Sequence, residues 1–447
     1  MNLKFISILL FSFILVYLLY LIIKNPGKQT ISCPDCNVVF VSFDTLRADH
    51  LHFMGYSKNT SPTLDKLASN GFIFTNAVSA SSWTLPATMS WFTGVYPSVH
   101  QILNKFTLKG PNEQEISNLK KLSPGLLTMA EIFQKDGYKT GGFTGGAGVN
   151  HEFGFAAGFD EYIDDQDFAG FEYSYPKAVE WIKKNRNEKL FVFLHGYNIH
   201  GQYVPPEGYD FRFLDFTYKG KLTGSKEEQL NLREEGLAQG KLFLTQDDVR
   251  FLTALYDEKI ARADEEFSKF YQEFKKLGLL EKTIFVITSD HGEELYEHGQ
   301  IDHGHSLYQE VIHVPLLIII PGIKGALISQ QVRSIDLLPT ILTIIGAGTD
   351  QKIFSQFQGK NLTDTMKGDN LNLQAFSETD YRYAVFKRAI TSADSWKYIT
   401  DLETSNNELY SLKNDPGEKI NRIDTNKIEK DTLRLTLEEI INSNKRK

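Results

Sequence analysis

The chain has 447 residues, and 48 Lys+Arg against 56 Asp+Glu leave a net charge of −8. A chain this long holds a large α/β core without staples, and 41% hydrophobic with 23% charged residues excludes a disordered or collagen-like polymer. The mild acidity excludes a general nucleic-acid binder, whose footprint would be basic. It does not exclude a small anionic substrate, because a bound cation can reverse a local field.

Phe5 to Ile23 is uncharged and almost wholly apolar, between Lys4 and Lys24. A run of about 20 such residues is long enough to cross a bilayer as a helix. No A-x-A site follows it. Residues 1–24 are therefore expected to form a single transmembrane anchor, and 25–36 a linker. Cys33 and Cys36 are the only cysteines; they read as a local disulfide or two inert thiols, with no redox framework around them.

From Asn37 the pattern alternates strand and helix. Asn37–Phe43 is a buried apolar strand ending at Asp44. Ser61, Pro62 and Gly71 supply the cap, first-turn proline and closing glycine of a helix. Thr84 is expected as the N-cap of the next helix, with Pro86 in its first turn. Leu126–Lys135 reads as a helix, Tyr138–Thr144 as a strand and Ala178–Lys184 as a helix. Leu190–Leu194 is a strand ending at His195. Ala254–Lys276 is a long charged helix, Thr283–Thr288 a strand ending near Asp290, and Val314–Ile320 another strand. Short apolar strands between helices imply a mostly parallel central sheet covered on both faces. The expected division is a catalytic unit over 37–350, with a polar insertion at 209–250 over one end of the sheet, and a small C-terminal α+β subdomain over 351–447. That subdomain carries strands at Trp396–Thr400 and Leu409–Leu412 and a terminal helix from Lys427.

Ligands of open α/β sheets bind beyond the carboxyl ends of the strands. Asp44, His195 with His200, and Asp290-His291 all fall at such ends. His291, His298, His303, His305 and His313 cluster within one stretch, interleaved with Asp290, Glu293, Glu294, Glu297 and Asp302. Mixed carboxylate and imidazole donors suit a divalent ion, with a second ion at His298 or His303 left open. A hydroxyl at a helix N-terminus, as at Thr84, meets bound anions where backbone N–H groups and the helix dipole favour negative charge. Once its proton is removed it can attack an anionic ester.

Taken together, NVVFVSFDTLRADHL, SSWTLPATMSWFTGVYPSVH, FVFLHGYNIHGQYVPP, TIFVITSDHGEELYEHG, HGHSLYQEVIHVPLLI, VRSIDLLPTILTIIG and NELYSLKNDPGEKIN resemble the sulfatase branch of the alkaline phosphatase superfamily. The resemblance covers roughly residues 37–421 and implies an alkaline-phosphatase-like fold. It implies that Asp44, Thr84, Asp290 and His291 hold one divalent metal ion, Mn, Ca, Mg or Zn. Thr84 would also be the nucleophile. His200 and His303 would act on the ester oxygens or the leaving group, with His195 a weaker candidate. The chain departs from the family pattern C/S-x-P-x-R, reading Thr84-Leu85-Pro86-Ala87-Thr88. Threonine is not converted to formylglycine, and the arginine is missing. Thr45 replaces the second residue of the family's frequent Asp-Asp pair. A threonine nucleophile resembles instead the lipoteichoic acid synthases and phosphoethanolamine transferases.

These readings combine into a membrane-tethered, extracytoplasmic, metal-dependent enzyme that cleaves or transfers phosphate esters, or sulfate esters, through Thr84. One alternative is an arylsulfatase-like sulfuric ester hydrolase working without formylglycine. Another is an inactive binding protein that keeps the fold. The expected partners are an anionic ester substrate and the membrane, with no nucleic acid.

Overall fold

The structure is a computed structural model that describes residues 30–105, 107–109, 115–117, 122–204, 210–347 and 351–445. The apolar run Phe5–Ile23 lies outside the described residues. Among the described residues no helix is long and apolar enough to cross a membrane.

A nine-stranded sheet forms the centre. Its strands are β1 (Asn37–Phe43), β2 (Phe72–Val78), β3 (Lys139–Phe143), β4 (Glu161–Ile163), β5 (Leu190–Gly196), β6 (Thr283–Thr288), β7 (His313–Ile319), β8 (Leu327–Ile328) and β9 (Val332–Arg333). The order is β8-β2-β7-β6-β1-β5-β3-β4, with β9 also on β2. β1 pairs in parallel with both β5 and β6, and β7 alone runs against its neighbours β2 and β6.

The three central strands are buried along their whole length. That is why they read as unbroken apolar runs, as a sheet covered on both faces requires. Alternation splits their side chains between two cores. Val38, Phe40, Phe191, Phe193, Ile284 and Val286 face one, with Trp91 and Leu342. Val39, Val41, Phe43, Val192, Leu194 and Phe285 face the other, with Tyr256 and Phe267. The helices α1 (Pro62–Ala68), α2 (Thr84–Thr93), α3 (Met129–Lys135), α4 (Phe171–Asn185), α5 (Lys226–Gln239), α6 (Gln246–Lys276) and α7 (Leu337–Ile345) connect and cover the strands. The insertion folds mainly as α5, whose Ser225 cap accepts from Glu228 N. Cys33 and Cys36 form a disulfide.

Several boundaries differ from the sequence reading. Thr84 is the first helical residue of α2 rather than its cap; Trp83, extended at φ −158°, holds the cap position. α4 begins at Phe171 and carries Pro176 inside it, where the ring removes the hydrogen bond an N–H would make to the Glu172 carbonyl. α6 runs back to Gln246 because Thr245 and Asp248 close a capping box.

A second, antiparallel sheet holds β10 (Ala375–Tyr381), β11 (Val385–Thr391), β12 (Trp396–Asp401) and β13 (Asn407–Ser411), and α8 (Lys427–Asn444) packs on it. β10 and β11 meet in a tight turn closed by Ala384 N donating to Tyr381 O at 3.0 Å. Its central residues, Arg382 and Tyr383, lie in the left-handed region at φ 53° and 55°. Glycine or asparagine normally fills these positions, so each side chain here is held at a cost of about 1–2 kcal/mol.

Candidate metal and ester site

The parallel order of β6, β1 and β5 brings three strand ends to one edge. Ser42 lies level with both His195 and Thr288, so Asp44, His195 and Asp290 leave the sheet side by side. β2 delivers the chain to the same edge, and α2 begins there with Thr84. Thr84 Oγ1 lies 3.2 Å from Asp44 Oδ2 and 3.4 Å from His291 Nε2. Asp44, Asp290 and His291 place ligand atoms close enough to share one ion.

The local backbone is built to hold them. Thr45 turns sharply in the left-handed region, at φ 58°. Its N–H donates to Asp290 Oδ1 at 3.2 Å, and its carbonyl accepts from Tyr256 Oη at 2.7 Å. His291 Nδ1 donates to the Gly292 carbonyl at 2.8 Å. That bond fixes the tautomer and leaves Nε2 as an electron-pair donor, as metal-binding histidines require.

These donors fit a divalent ion. Asp44, Asp290 and His291 are fully buried. Asp44 Oδ1 and Asp290 Oδ2 have no hydrogen-bond partner among the described residues. Burial, and then the neighbouring Asp290, push the Asp44 carboxyl well above its ordinary range. Two buried carboxylates facing each other call for a cation between them.

The site opens into a cavity of about 570 Å3, lined by Thr84, His200 and His303 among others. His200 meets Tyr197 edge to face, with ring centroids 5.6 Å apart, and burial lowers its pKa to about 3. His303 Nδ1 lies 2.9 Å from Glu293 Oε1 and 3.0 Å from Asp302 Oδ1. Burial lowers its pKa, while Asp302 opposes the shift. Glu293, Asp302 and His303 form a second group whose ligand atoms could share an ion. His195 Nε2 is 3.5 Å from Asp44 Oδ2, and burial lowers that ring to about 4.

The other histidines of the sequence cluster turn elsewhere. His298 stacks on Tyr308 at 3.6 Å beside Glu310. His305 bonds Glu294 at 3.1 Å, and His313 bonds the Thr75 carbonyl. Sequence reasoning missed the basic lining of the cavity: Lys105, Lys226, Arg233, Lys259 and Arg382. Lys259 donates to the His200 carbonyl at 2.9 Å; apart from Lys105, which follows the Thr84 segment closely, these cations stand far from the motifs in the chain, and no local pattern marks any of them. Gly148, also missed, lets Thr84 sit close. A Cβ there would lie 2.9 Å from Thr84 Cβ.

Residues 36–347 match the model of the sulfatase family. The chain belongs to the sulfatase family. Residues 296–447 also match the C-terminal region of N-sulphoglucosamine sulphohydrolase. Arylsulfatase K of Mus musculus is 24% identical over 436 residues, spanning 86% of this chain and 75% of the relative. A 2-O GAG sulfatase superposes with a TM-score of 0.71 at 20% identity, covering 92% of each chain. The phosphonate monoester hydrolase of Agrobacterium radiobacter superposes at 0.70 with 19% identity, covering 92% of this chain and 95% of its own. These likenesses establish the sulfatase fold, and membership makes the chain a hydrolase of the sulfatase family acting on an anionic ester.

The expected single-pass, extracytoplasmic membrane placement does not stand. The matched relatives are arylsulfatase K proteins, and no helix among the described residues meets the length and hydropathy of a span. An apolar run in the sequence states hydropathy alone and does not by itself place a protein in a membrane.

Proposed function

We propose that this sulfatase-family enzyme hydrolyses an anionic ester through Thr84, with one divalent ion held by Asp44, Asp290, His291 and Thr84. The observation that carries the reading is the Thr84 hydroxyl set between the Asp44 carboxylate and His291 Nε2 at the mouth of a basic cavity. Such an ion, when bound, lowers the pKa of the attacking hydroxyl and polarises the ester oxygens.

The chain's own groups then supply the rest. The first turn of α2 places backbone N–H groups beside the incoming anion. Thr84 Oγ1 passes its proton to the Asp44 carboxylate that accepts its hydrogen bond and forms a bond to the ester's central atom while the bond to the leaving alcohol breaks. His303, with two carboxylates against its Nδ1, carries the proton that the leaving alcohol takes up. His200 donates Nδ1–H to the Gly201 carbonyl at 2.5 Å, which leaves Nε2 as an acceptor that orients the attacking water. That water attacks the adduct, one of its protons leaving on the released acid and the other restoring His303, while Asp44 returns the proton that re-forms the Thr84 hydroxyl.

The chemistry of threonine favours a phosphate ester. A formylglycine hydrate expels sulfate by elimination, and a sulfo-threonine has no such route. A phospho-threonine is cleared by in-line attack of water. A second reading, sulfate ester hydrolysis, is favoured by the arylsulfatase K relatives. Parallel turnover of 4-nitrophenyl phosphate and 4-nitrophenyl sulfate separates the two. Intact-mass spectrometry after brief exposure to the faster ester is expected to show an adduct on Thr84. Full activity in Thr84→Ala would reject the nucleophile.

A further inference from the structure

The structure assigns a second anion subsite to this cavity: Arg233 and Arg382 clamp a negative group on the substrate other than the ester that is cleaved. The assignment rests on the ester reading above and narrows its substrate to a molecule with at least two anionic groups.

The two arginines come from separate elements, neither on the sheet edge that carries Thr84, Asp44 and Asp290. Arg233 stands on α5, in the insertion, and Arg382 at the tip of the β10–β11 turn; both line the cavity. Glu234 ties them together. Its Oε1 lies 2.7 Å from Arg233 Nη2 and 3.1 Å from Arg382 Nη1. Arg233 also faces Asp302 at 3.7 Å. Glu234 and Asp302 together suppress the repulsion between the two guanidiniums and hold their forks in place. Lys226, two turns before on the cavity lining of α5, supplies the surplus positive charge of this wall.

The turn carries an independent sign. Arg382 and Tyr383 both occupy left-handed backbone, which an Asn-Gly pair would adopt without strain. Strain kept at a cavity wall points to a side chain required there. Tyr381, the preceding residue, packs its ring 5.6 Å from that of Trp83, the neighbour of Thr84. This contact fixes the turn against the start of α2. Arginine suits the task because its planar fork meets a carboxylate, sulfate or phosphate through paired hydrogen bonds.

The test compares competitors that differ by one charge. Glucuronic acid 1-phosphate and glucose 1-phosphate differ in the C6 carboxylate. Glucosamine 2-N,6-O-disulfate and N-acetylglucosamine 6-sulfate differ in one sulfate. Each is measured as an inhibitor of 4-nitrophenyl ester turnover, and directly by titration calorimetry on the metal-loaded enzyme. The wild type is expected to prefer the member with the extra anionic group in at least one pair by about 10-fold or more, the usual scale of a charge-assisted contact. The pair that responds tells a carboxylate from a sulfate. Arg382→Gln and Arg233→Gln are expected to bring that ratio below about 3-fold, and Arg382→Lys to restore part of it. A wild-type ratio near one in both pairs overturns the subsite. So does equal weakening of both members of a pair by the variants, which is what a purely structural role would give. If the aryl esters are not turned over while the calorimetric preference holds, the hydrolase reading fails and the subsite stands.

Discussion

A single methyl group behind Thr84 offers a sharp test of its proposed role. Gly148 lies in the short turn Ala147–Val149, and its N–H donates to Tyr197 Oη at 2.9 Å. A Cβ built there would stand 2.9 Å from Thr84 Cβ, 3.0 Å from Thr84 Cγ2 and 3.1 Å from Tyr197 Oη. All three are well inside ordinary carbon contact, close to 3.5–4.0 Å, so Thr84 must move by several tenths of an ångström. Gly148→Ala is therefore expected to lower stability by about 1–3 kcal/mol, the usual cost of overpacking. Displacement of a reacting atom on the ångström scale reduces turnover by about 10²-fold, so kcat should fall by one to two decades. KM should move less than about 3-fold, because the cations that bind the anion are elsewhere. The double variant Gly148→Ala/Thr84→Ser removes the Cγ2 clash but keeps the hydroxyl, and should regain about a decade of kcat. Steady-state kinetics on the faster 4-nitrophenyl ester, with urea unfolding in parallel, decides the matter. A Gly148→Ala enzyme with wild-type kcat would refute the placement of Thr84 as attacking group.

Other consequences can be measured independently. Purified protein is expected to hold one divalent ion per chain by elemental analysis, and Asp44→Asn and His291→Ala should each cut that content by at least about 10-fold. His100 is fully buried with a pKa lowered to about 3, while its unfolded value is about 6.5. The unfolded chain thus binds the proton first, so stability is complete above pH 6.5 and is lost as pH falls toward 3. At 1.36 kcal/mol per pH unit, moving from pH 7 to pH 5 should cost the wild type about 2 kcal/mol more than His100→Gln in urea unfolding. An equal slope in both proteins contradicts the assignment. Lys397 and Glu418 form a fully buried pair at 2.9 Å. Lys397→Met should destabilise by about 3–5 kcal/mol by stranding the carboxylate, and adding Glu418→Met should return most of that.

The sequence discloses the central strands well because burial on both faces writes them as continuous apolar runs. β1 and β6 fall on the residues read from pattern alone. β2 was hidden because FIFTNAV alternates buried with half-buried positions after a helix-closing glycine. β10 and β11 were hidden because SETDY and FKRAIT carry charges that only the folded sheet pairs, Arg388 with Glu378 and Asp380. The reversed direction of β7 has no local signal at all. In the site, Asp44, Asp290 and His291 stand directly after apolar strands, where chain position predicts spatial position. Density of histidine in sequence proved a weaker guide. The short hairpin around Glu294 and Asp302 turns His298 and His305 toward Glu310 and Glu294 instead of the cavity. Arg233 and Arg382 are brought together only by tertiary folding, and no spacing rule could pair them.

The departures from the family's nucleophile motif acquire a physical meaning in this setting. The arginine of C/S-x-P-x-R is replaced by Thr88, which is buried, with no partner for Oγ1 among the described residues. The positive charge absent there is present elsewhere, since Lys105, Lys259, Arg233 and Arg382 reach the cavity from four other parts of the chain. Loss of the motif's arginine is therefore not loss of anion affinity, and it does not by itself mark an inert protein. The stronger argument lies with the acids. A buried carboxylate oxygen without a partner costs about 1–3 kcal/mol or more. Asp44 Oδ1 and Asp290 Oδ2 are two such oxygens, on carboxylates whose ligand atoms lie close enough to share one ion. A scaffold that only bound a ligand would gain stability by replacing that pair with apolar side chains. Retaining it is favourable only where a cation offsets the charge and the hydroxyl beside it has work to do.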